Sequence, residues 1–346
     1  MPPVQLLGVA TAVPPHALDQ DEAAALAARA FGGKVFREAD LLQLFANTGI
    51  RSRRTVRPVD WYLQPNDWSR RNAAYIEGAE ALYLEAAHAA LDRAGVTPAE
   101  VGTVVTVSST GIATPSLEAR LHGRLGLDAQ VVRAPLFGLG CAGGVSGLAV
   151  ASRLAASDPA GRAVLMVAVE LCSLAVRTDE ASKANVVATA LFGDGAAACV
   201  LRAVEPAPGG RAVTRDRQHL WPDTLDIMGW TIDPVGFGIV LAATLPSFVA
   251  KCFHEAAEGF DAEPPARYVC HPGGARVLPA LEGVLGLAEG SLDVEREVLA
   301  EYGNMSAPTV FFVLERVLAS GPAGPLTLAA LGPGFTASFV GLGARA

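Results

Sequence analysis

Two segments of this 346-residue chain repeat one pattern, and that repeat limits the folds open to the chain. Residues 101–127 read as a strand, a loop with a proline and a helix, and they end at Leu125-Gly126-Leu127. Residues 268–287 follow the same order and end at Leu285-Gly286-Leu287. Self-similarity in a fixed order indicates a duplicated unit rather than an array of short repeats. Two such βα units that pack together form a layered α/β fold.

We therefore predict two pseudo-equivalent βα-layered halves, residues 1–205 and residues 206–346. Each half ends in predicted strands, near residues 192–202 and 326–341. Residues 209–226 contain proline, arginine and glycine, and we expect them to cross between the halves. Residues 241–260 are predicted to be helical.

Composition and charge exclude several classes of protein. The chain is 51% hydrophobic and has a formal net charge of −8, so we expect no basic surface of the kind that binds nucleic acid. No apolar run of about 18 residues escapes a charge or a proline, so no membrane span is expected. The five cysteines form no Cys-x-x-Cys pair and no Cys/His metal spacing. We therefore predict a cytoplasmic protein with reduced cysteines and no metal site.

Residues 138–144 place Cys141 in a glycine-rich turn between a predicted strand at 130–137 and a predicted helix at 145–156. The free N–H groups and the dipole at a helix start favour negative charge, and such positions lower the pKa of a thiol below about 8.5. Glycines also allow a substrate to approach the backbone closely. This sequence suits a nucleophile, although a small buried apolar cysteine is the common alternative.

The duplication predicts which residues join Cys141. Cys141 lies 14 residues after the first Leu-Gly-Leu and Asn304 lies 17 residues after the second, each at a predicted helix start. If the halves pack about a pseudo-twofold axis, equivalent loops meet near that axis, and His271 joins them from the end of a predicted strand. The alternatives are that His271 belongs to an ordinary His-Pro-Gly-Gly loop and that Asn304 is a helix N-cap, a position that asparagine favours.

Cysteine, histidine and asparagine together suit acyl transfer. An imidazole can hold a thiol as a thiolate–imidazolium ion pair, which is an activated nucleophile. Asn304 cannot take a proton, but it can donate hydrogen bonds to an oxyanion, as His271 can. Such a site can stabilise the enolate that forms when a malonyl thioester loses carbon dioxide. A Cys-His-Asn protease uses the same residue types, but its asparagine orients the histidine, so decarboxylative Claisen condensation is the preferred hypothesis.

Four motifs and a closing loop are similar to those of one enzyme family. They are Gly140-Cys141-Ala142-Gly143-Gly144, Leu191-Phe192-Gly193-Asp194-Gly195-Ala196-Ala197, His271-Pro272-Gly273-Gly274, Tyr302-Gly303-Asn304-Met305-Ser306 and Gly332-Pro333-Gly334. In this combination the chain resembles the type III polyketide synthases, the chalcone synthase-like branch of the thiolase superfamily. The resemblance implies a thiolase-like αβαβα fold, a homodimer, coenzyme A (CoA) thioesters as substrates, and no cofactor.

The resemblance also implies roles for individual residues. Cys141 would hold the starter and the growing chain, while His271 and Asn304 would bind the thioester carbonyl. Phe192 would be the aromatic gate between an entrance tunnel and the cavity. The other residues implied to bind substrate are Leu174, Trp230, Ser306, Gly332, Pro333 and Gly334.

Departures from the plant members indicate a bacterial subgroup. The residues around Trp230 are similar to those of bacterial enzymes that make alkylpyrones and alkylresorcinols from fatty acyl-CoA starters and malonyl-CoA. Gln43 and Asn47 stand where plant members have lysines that contact CoA phosphates. Arg53 and Arg54, in the basic turn nearby, are expected to take over that contact, with a solvated basic turn as the alternative.

Two rivals remain open at this stage. A ketoacyl synthase III-like enzyme shares Cys141, His271 and Asn304 but performs one condensation on an acyl carrier protein, and its motifs usually differ from those of this chain. A non-catalytic thiolase-fold binding protein would not need all three residues. We therefore predict a polyketide synthase that loads a fatty acyl group on Cys141, extends it with malonyl-CoA and cyclises it to an alkylpyrone or alkylresorcinol.

Overall fold

The computed structural model describes residues 3–33, 35–205, 210–261 and 264–344, and within these a mixed sheet of nine strands is covered by helices. The strands are β1 (Val4–Ala12), β2 (His16–Asp19), β3 (Ser52–Thr55), β4 (Val101–Val107), β5 (Val132–Leu136), β6 (Ala163–Leu171), β7 (Asp194–Ala203), β8 (Arg211–Leu220), β9 (Met228–Ile232), β10 (Phe237–Leu241), β11 (Arg267–Cys270), β12 (Leu326–Gly332) and β13 (Thr336–Leu342). The helices are α1 (Gln20–Phe31), α2 (Glu38–Ala46), α3 (Val59–Tyr62), α4 (Trp68–Ala94), α5 (Leu117–Leu125), α6 (Gly143–Ser157), α7 (Lys183–Leu191), α8 (Leu245–Ala257), α9 (Val277–Val284), α10 (Asp293–Tyr302) and α11 (Thr309–Ala319). β2–β3 and β9–β10 form two small sheets of their own.

The strand order of the large sheet repeats itself about its centre. Along the sheet the order is β11-β12-β13-β8-β1-β7-β6-β4-β5. From the centre outward, β1 pairs antiparallel with β7, β7 antiparallel with β6, and β6 parallel with β4. In the other direction β8, β13, β12 and β11 pair in the same senses. This repeat confirms the duplicated α/β arrangement predicted from the two Leu-Gly-Leu segments.

Helices occupy three layers around the two parts of the sheet. In the middle layer, α6 and α11 share one apolar core with strands of both parts. On the outer faces, α4 and α5 cover β4, β6 and β7, while α8 and α9 cover the part of the sheet that contains β12 and β13. Burial of apolar surface between these layers is the main favourable contribution to folding. The result is the αβαβα fold that the resemblance implied.

The small residues of α6 allow unusually close packing in the middle layer. A Cβ added to Gly144 would lie 2.2 Å from the Ala307 oxygen. A Cβ added to Gly147 would lie 2.6 Å from the Val107 side chain. No side chain fits at such distances, since protein interiors are packed as densely as organic crystals. Because α6 follows Cys141 directly, this contact fixes the position of the cysteine turn.

Helix α4 shows that the local signals were sufficient where they were strong. Its N-cap Asp67 accepts a hydrogen bond from the Arg70 N–H at 2.8 Å, and the helix ends at Gly95 with a φ of 62°. Both are standard helix boundaries, and the amphipathic pattern of residues 70–94, followed by Gly95, predicts a long helix that agrees with them. Within the described ranges, no helix is both long and apolar enough to cross a membrane.

Predictions for the second part of the chain were less accurate. The segment expected to cross between the halves contains, from Arg211, the strand β8, which pairs with β1 on one side and with β13 on the other. A strand was not predicted there. The arginines of β8 obscure the alternating pattern of a strand, because their guanidinium groups have partners elsewhere in the chain. Arg215 donates to the Phe260 oxygen at 2.6 Å and Arg217 to the Glu258 oxygen at 2.7 Å, both just beyond α8. The hairpin β9–β10 was not predicted, and α8 covers only part of residues 241–260. The predicted boundary at residue 206 falls on 206–209, outside the described residues.

Candidate active site

Cys141 lies in a tight turn that leads directly into α6. A short 3₁₀ segment, Gly140–Ala142, follows β5, and the helix begins at Gly143. Gly138 and Gly140 have φ values of 88° and 47°, which favour glycine. An added Cβ at Gly140 would lie 2.7 Å from Pro333. The predicted placement of Cys141 at a helix start is therefore confirmed, and the turn is held between the two parts of the sheet.

Asn304 is fixed by its backbone and by both ends of its side chain. Its backbone N–H donates to the Leu191 oxygen at 2.8 Å, and its backbone carbonyl oxygen accepts from the Gly193 N–H at 3.0 Å. Its side-chain Nδ2 donates to the Gly273 oxygen at 3.0 Å, and its Oδ1 accepts from the Ser306 N–H at 2.8 Å. Oδ1 also lies 3.9 Å from the sulfur of Cys141. These partners determine which way the amide is oriented.

The prediction that Asn304 opens a helix is wrong, because α11 begins only at Thr309. Asn304 instead forms a parallel bridge with Phe192. The intervening Ser306 has a φ of 59°, an unusual value for a residue with a side chain. Ser306 lines the same cavity as Cys141, so the strained backbone lies next to the candidate nucleophile.

His271 directly follows β11, and its N–H continues the sheet by donating to the Ala329 oxygen at 2.8 Å. The side chain is 4% exposed, and neither ring nitrogen has a hydrogen-bond partner among the residues that the structure describes. Burial lowers the pKa of His271 to about 4, since an apolar environment disfavours the charged form. His271, Cys141 and Asn304 line one cavity, which is the juxtaposition that the duplication predicted.

Burial opposes the thiolate form that the sequence predicts for Cys141. Burial raises the pKa of its thiol to about 11, although hydrogen bonding with Ser306 and Asn304 acts in the opposite direction. The charge of Glu170 raises the pKa of the thiol further. Desolvation therefore outweighs the helix start. Burial thus favours the neutral forms of both the Cys141 thiol and the His271 imidazole and opposes a standing ion pair.

Glu170 is a buried carboxyl that our sequence analysis missed. It lies near the end of the apolar strand β6, and it accepts hydrogen bonds from the Ser109 N–H at 2.9 and 3.0 Å and from the Thr110 hydroxyl at 2.7 Å. Burial raises its pKa to about 7. The Ser109 hydroxyl in turn accepts from the Gly138 N–H at 3.2 Å. A lone acid in an apolar strand was the available signal, because such a group requires partners.

The three residues lie in a cavity of about 770 Å³. Its lining is mainly apolar and includes Leu191, Met228, Ile239, Leu241, Leu245 and Val277. The Trp230 ring stacks on the Phe237 ring with centroids 5.5 Å apart. It makes an edge-to-face contact with the Phe192 ring, with centroids 6.3 Å apart. The indole Nε1 donates to the Ser109 oxygen at 3.1 Å. Trp230 and Phe192 therefore line the cavity, as predicted.

Two predicted cavity residues are placed differently. Both Leu174 and Cys172 belong to the 3₁₀ turn Cys172–Ala175, which follows β6. Leu174 is buried among the side chains beneath α4, and Cys172 lines the cavity instead. In the closing loop only Pro333 faces the cavity. An added Cβ at Gly332 would lie 2.6 Å from the Leu139 oxygen, and Gly334 has a φ of 118°. The two glycines therefore shape the loop rather than contact a substrate.

Arg53 cannot contact CoA phosphates, so that prediction is wrong. The side chain is 2% exposed, and its guanidinium donates to the Thr189 oxygen at 2.8 Å, the Ala190 oxygen at 3.0 Å and the Phe192 oxygen at 3.2 Å, as well as to Gln20. These are the last carbonyl groups around the end of α7, where a cation is favourable. Arg54 lies on the hairpin β2–β3 with a 3.5 Å contact to the Pro15 oxygen.

Comparisons with known proteins identify the family. Residues 3–206 match the model of the N-terminal domain of chalcone and stilbene synthases, and residues 213–337 match that of the C-terminal domain. A 1,3,6,8-tetrahydroxynaphthalene synthase of Streptomyces peucetius subsp. caesius is 40% identical over 96% of this chain and 91% of its own length. A phloroglucinol synthase of Pseudomonas fluorescens is 31% identical over 85% of this chain and 86% of its own.

Solved structures agree with the sequence comparisons. The 1,3,6,8-tetrahydroxynaphthalene synthase of Streptomyces coelicolor, described as a bacterial type III polyketide synthase, superposes with a TM-score of 0.92 at 29% identity and covers 99% of both chains. PKS-I of the brown alga Ectocarpus siliculosus also gives 0.92, at 28% identity and 99% coverage of both chains. The chain therefore belongs to the chalcone and stilbene synthase family, the type III polyketide synthases, which condense CoA thioesters decarboxylatively and need no cofactor.

Proposed function

We propose that this enzyme builds a polyketide on Cys141, with His271 and Asn304 activating malonyl-CoA. The observation that carries this proposal is the placement of the three residues on one cavity, with the cysteine sulfur 3.9 Å from the Asn304 amide oxygen. A nucleophile beside two hydrogen-bond donors, in a mainly apolar cavity, suits acyl transfer.

Loading begins from a neutral pair. As the Cys141 sulfur attacks the thioester carbonyl of the starter, its proton passes to His271, and a new carbon–sulfur bond forms. The bond to the CoA sulfur then breaks, and the departing CoA thiolate takes the proton back. The low pKa of His271 favours this return, because a buried imidazolium is stable only while a negative charge lies beside it.

Extension uses the same donors in a second role. Loss of carbon dioxide from the malonyl group leaves its electron pair on the thioester as an enolate. The unpartnered imidazole of His271 and the second Nδ2 hydrogen of Asn304 donate to the enolate oxygen. The enolate carbon then attacks the acyl carbonyl on Cys141 and releases the sulfur. One carbon dioxide leaves and one carbon–carbon bond forms in each cycle.

For the starter we propose a fatty acyl-CoA, with an alkylpyrone or alkylresorcinol as product. The mainly apolar lining of the 770 Å³ cavity supports this, since it suits an alkyl chain. A second candidate is formation of 1,3,6,8-tetrahydroxynaphthalene from malonyl-CoA alone, which is favoured by the name of the relative at 40% identity.

One experiment separates the two candidates. The enzyme is incubated with malonyl-CoA alone and with malonyl-CoA plus decanoyl-CoA, and the products are analysed by mass spectrometry. Pyrones or resorcinols that carry the decanoyl carbons support the fatty acyl proposal. Tetrahydroxynaphthalene from malonyl-CoA, unchanged by decanoyl-CoA, would replace that proposal with the second candidate. A single β-ketoacyl product without cyclisation would favour the ketoacyl synthase III-like rival.

We further propose a homodimer formed along β5, in the cytoplasm. β5 is an edge strand of the large sheet, and Val132 and Phe137 beside it are 53% and 57% exposed. Apolar side chains on an open edge favour pairing with a second copy. The five cysteines are free, which supports a reducing compartment. Sedimentation of the purified enzyme tests the dimer, and Val132→Lys is expected to favour the monomer.

A further inference from the structure

Charged side chains are rare on the wall of the active-site cavity. Among the described residues that line it, only Asp40, Lys183 and Arg276 carry a full charge. Asp40 is already paired, because its carboxylate accepts hydrogen bonds from Arg37 at 2.7 and 3.0 Å. The two cations are exposed, and neither makes an ion pair or a side-chain hydrogen bond within the described ranges.

The two cations belong to separate elements on the rim of the cavity. Lys183 is the first residue of α7, and Arg276 is the N-cap residue of α9. A cation at a helix start lies beside the positive end of the helix dipole, which is unfavourable for the folded protein alone. Two unpaired cations in such positions on one cavity therefore indicate an anionic ligand at this rim.

Among the lining residues that the structure describes, no other side chain is a cation. Gln43 and Asn47 stand at the positions where the resemblance placed lysines, and they are neutral and bonded to each other at 2.8 Å. Arg53 is buried at the end of α7. The chain as a whole has a net charge of −8, so a polyanionic substrate depends on local cations to approach the cavity.

We propose that Lys183 and Arg276 bind the phosphate groups of the CoA moiety while the thioester extends inward toward Cys141. This inference rests on the proposed function, and it names the residues that recognise the carrier of the acyl group. Arg276 presents a planar fork that suits two phosphate oxygens, and Lys183 adds a mobile point charge. The enzyme thereby distinguishes a CoA thioester from a thioester that lacks phosphates.

Steady-state kinetics with matched thioesters tests the assignment. The variants are Lys183→Ala, Arg276→Ala and the double variant, and the substrates are malonyl-CoA, malonyl-dephospho-CoA and the phosphate-free malonyl-N-acetylcysteamine. The double variant is expected to raise the KM for malonyl-CoA about tenfold, as two exposed charge pairs would. Its KM for malonyl-N-acetylcysteamine should remain that of the wild type, since no phosphate is lost.

Two further measurements sharpen the test. The wild-type KM for malonyl-CoA should rise with salt, because exposed charge pairs are screened, and the double variant should lose most of that rise. Malonyl-dephospho-CoA identifies which cation meets the 3′-phosphate, since the matching single variant no longer changes its KM. Lys251→Ala, which removes an exposed lysine of α8 outside the cavity, serves as the control that leaves every KM unchanged. Arg54→Ala tests the competing contact from the basic turn.

Several results would overturn the proposal. An increased KM for both malonyl-CoA and malonyl-N-acetylcysteamine would show that the two side chains act on the cavity and not on phosphate. An increase in Arg54→Ala but not in the double variant would return the contact to the basic turn. If the wild type condenses none of the three thioesters, the proposed function fails, whereas equal kinetics of wild type and double variant would exclude only the phosphate site.

Discussion

The floor of the active-site cavity and its hairpin wall are constructed in opposite ways. Asn304 on the floor and Glu170 beneath it are buried, and each is held by several hydrogen bonds. The wall is the two-stranded hairpin β9–β10. It contacts the rest of the protein mainly through the rings of Trp230 and Phe237, together with the hydrogen bond of the Trp230 indole to Ser109 and the ion pair of Asp233 with Arg177. Fixed polar geometry suits chemistry, whereas apolar packing tolerates substitution. The floor should therefore control rate and the wall should control product.

The largest effect on the floor is expected from Cys141→Ala, which should reduce polyketide formation by at least about 10³-fold. The starter then has no sulfur to which it can be transferred. Release of carbon dioxide from malonyl-CoA should persist, because His271 and Asn304 remain. Product formation and carbon dioxide release are measured separately, with Cys252→Ala as the control cysteine. A variant that still makes polyketide at the wild-type rate would remove Cys141 from the mechanism.

Asn304→Asp is expected to reduce kcat by about 10²-fold or more, which is the usual effect of removing one oxyanion donor. The carboxylate has the same shape, but it cannot donate to the enolate, and its charge repels the forming anion. Carbon dioxide release should fall together with condensation, in contrast to Cys141→Ala. Circular dichroism confirms that the variant is folded. Full decarboxylation by Asn304→Asp would argue that His271 acts alone.

Glu170→Gln tests the buried support beneath the floor. Burial raises the pKa of Glu170 to about 7, so the folded protein binds a proton that the unfolded chain releases near pH 4.5. The contribution of Glu170 to stability is therefore present below pH 4.5 and is lost as the pH rises to 7, by an amount on the order of 3 kcal/mol.

Urea unfolding between pH 4.5 and 8 measures this effect. The curve of stability against pH should be flatter for Glu170→Gln than for the wild type. It should not become level, because burial also raises the pKa of Asp194 to about 6 and that of Glu295 to about 7. Identical slopes for the two proteins would mean that Glu170 stays ionised in the folded state, and the floor would then be more polar than we describe.

The smallest effect on rate is expected on the wall. Trp230→Ala should change kcat only a few-fold but shift the products toward longer starters, because the indole side chain occupies cavity space beside Phe192. Trp230→Phe, which keeps a ring against Phe237, is the matched control and should retain most of the wild-type product profile. A 10²-fold loss of kcat in Trp230→Ala with no change in products would contradict the division between floor and wall.

Sequence reasoning succeeded where the signal was local or repeated. The glycines around Cys141 indicated a turn into a helix, and the two Leu-Gly-Leu segments indicated the duplication that joins Cys141, His271 and Asn304. It failed where a side chain had a distant partner. Arg53 looked like a surface cation, but it donates to carbonyl groups of residues 189–192, more than 130 positions away. The same reason explains why the strand β8 was not predicted.

The sequence by itself determined the fold class, the three residues that meet at the floor and the family, because motifs and periodicity are local properties that a duplicated α/β fold brings together. Only the tertiary structure decided the raised pKa of Cys141, the burial of Arg53, the presence of Cys172 instead of Leu174 in the cavity lining, and the exposure of Lys183 and Arg276 at the rim. Each of these depends on desolvation and on partners distant in the chain, which no short stretch of residues encodes.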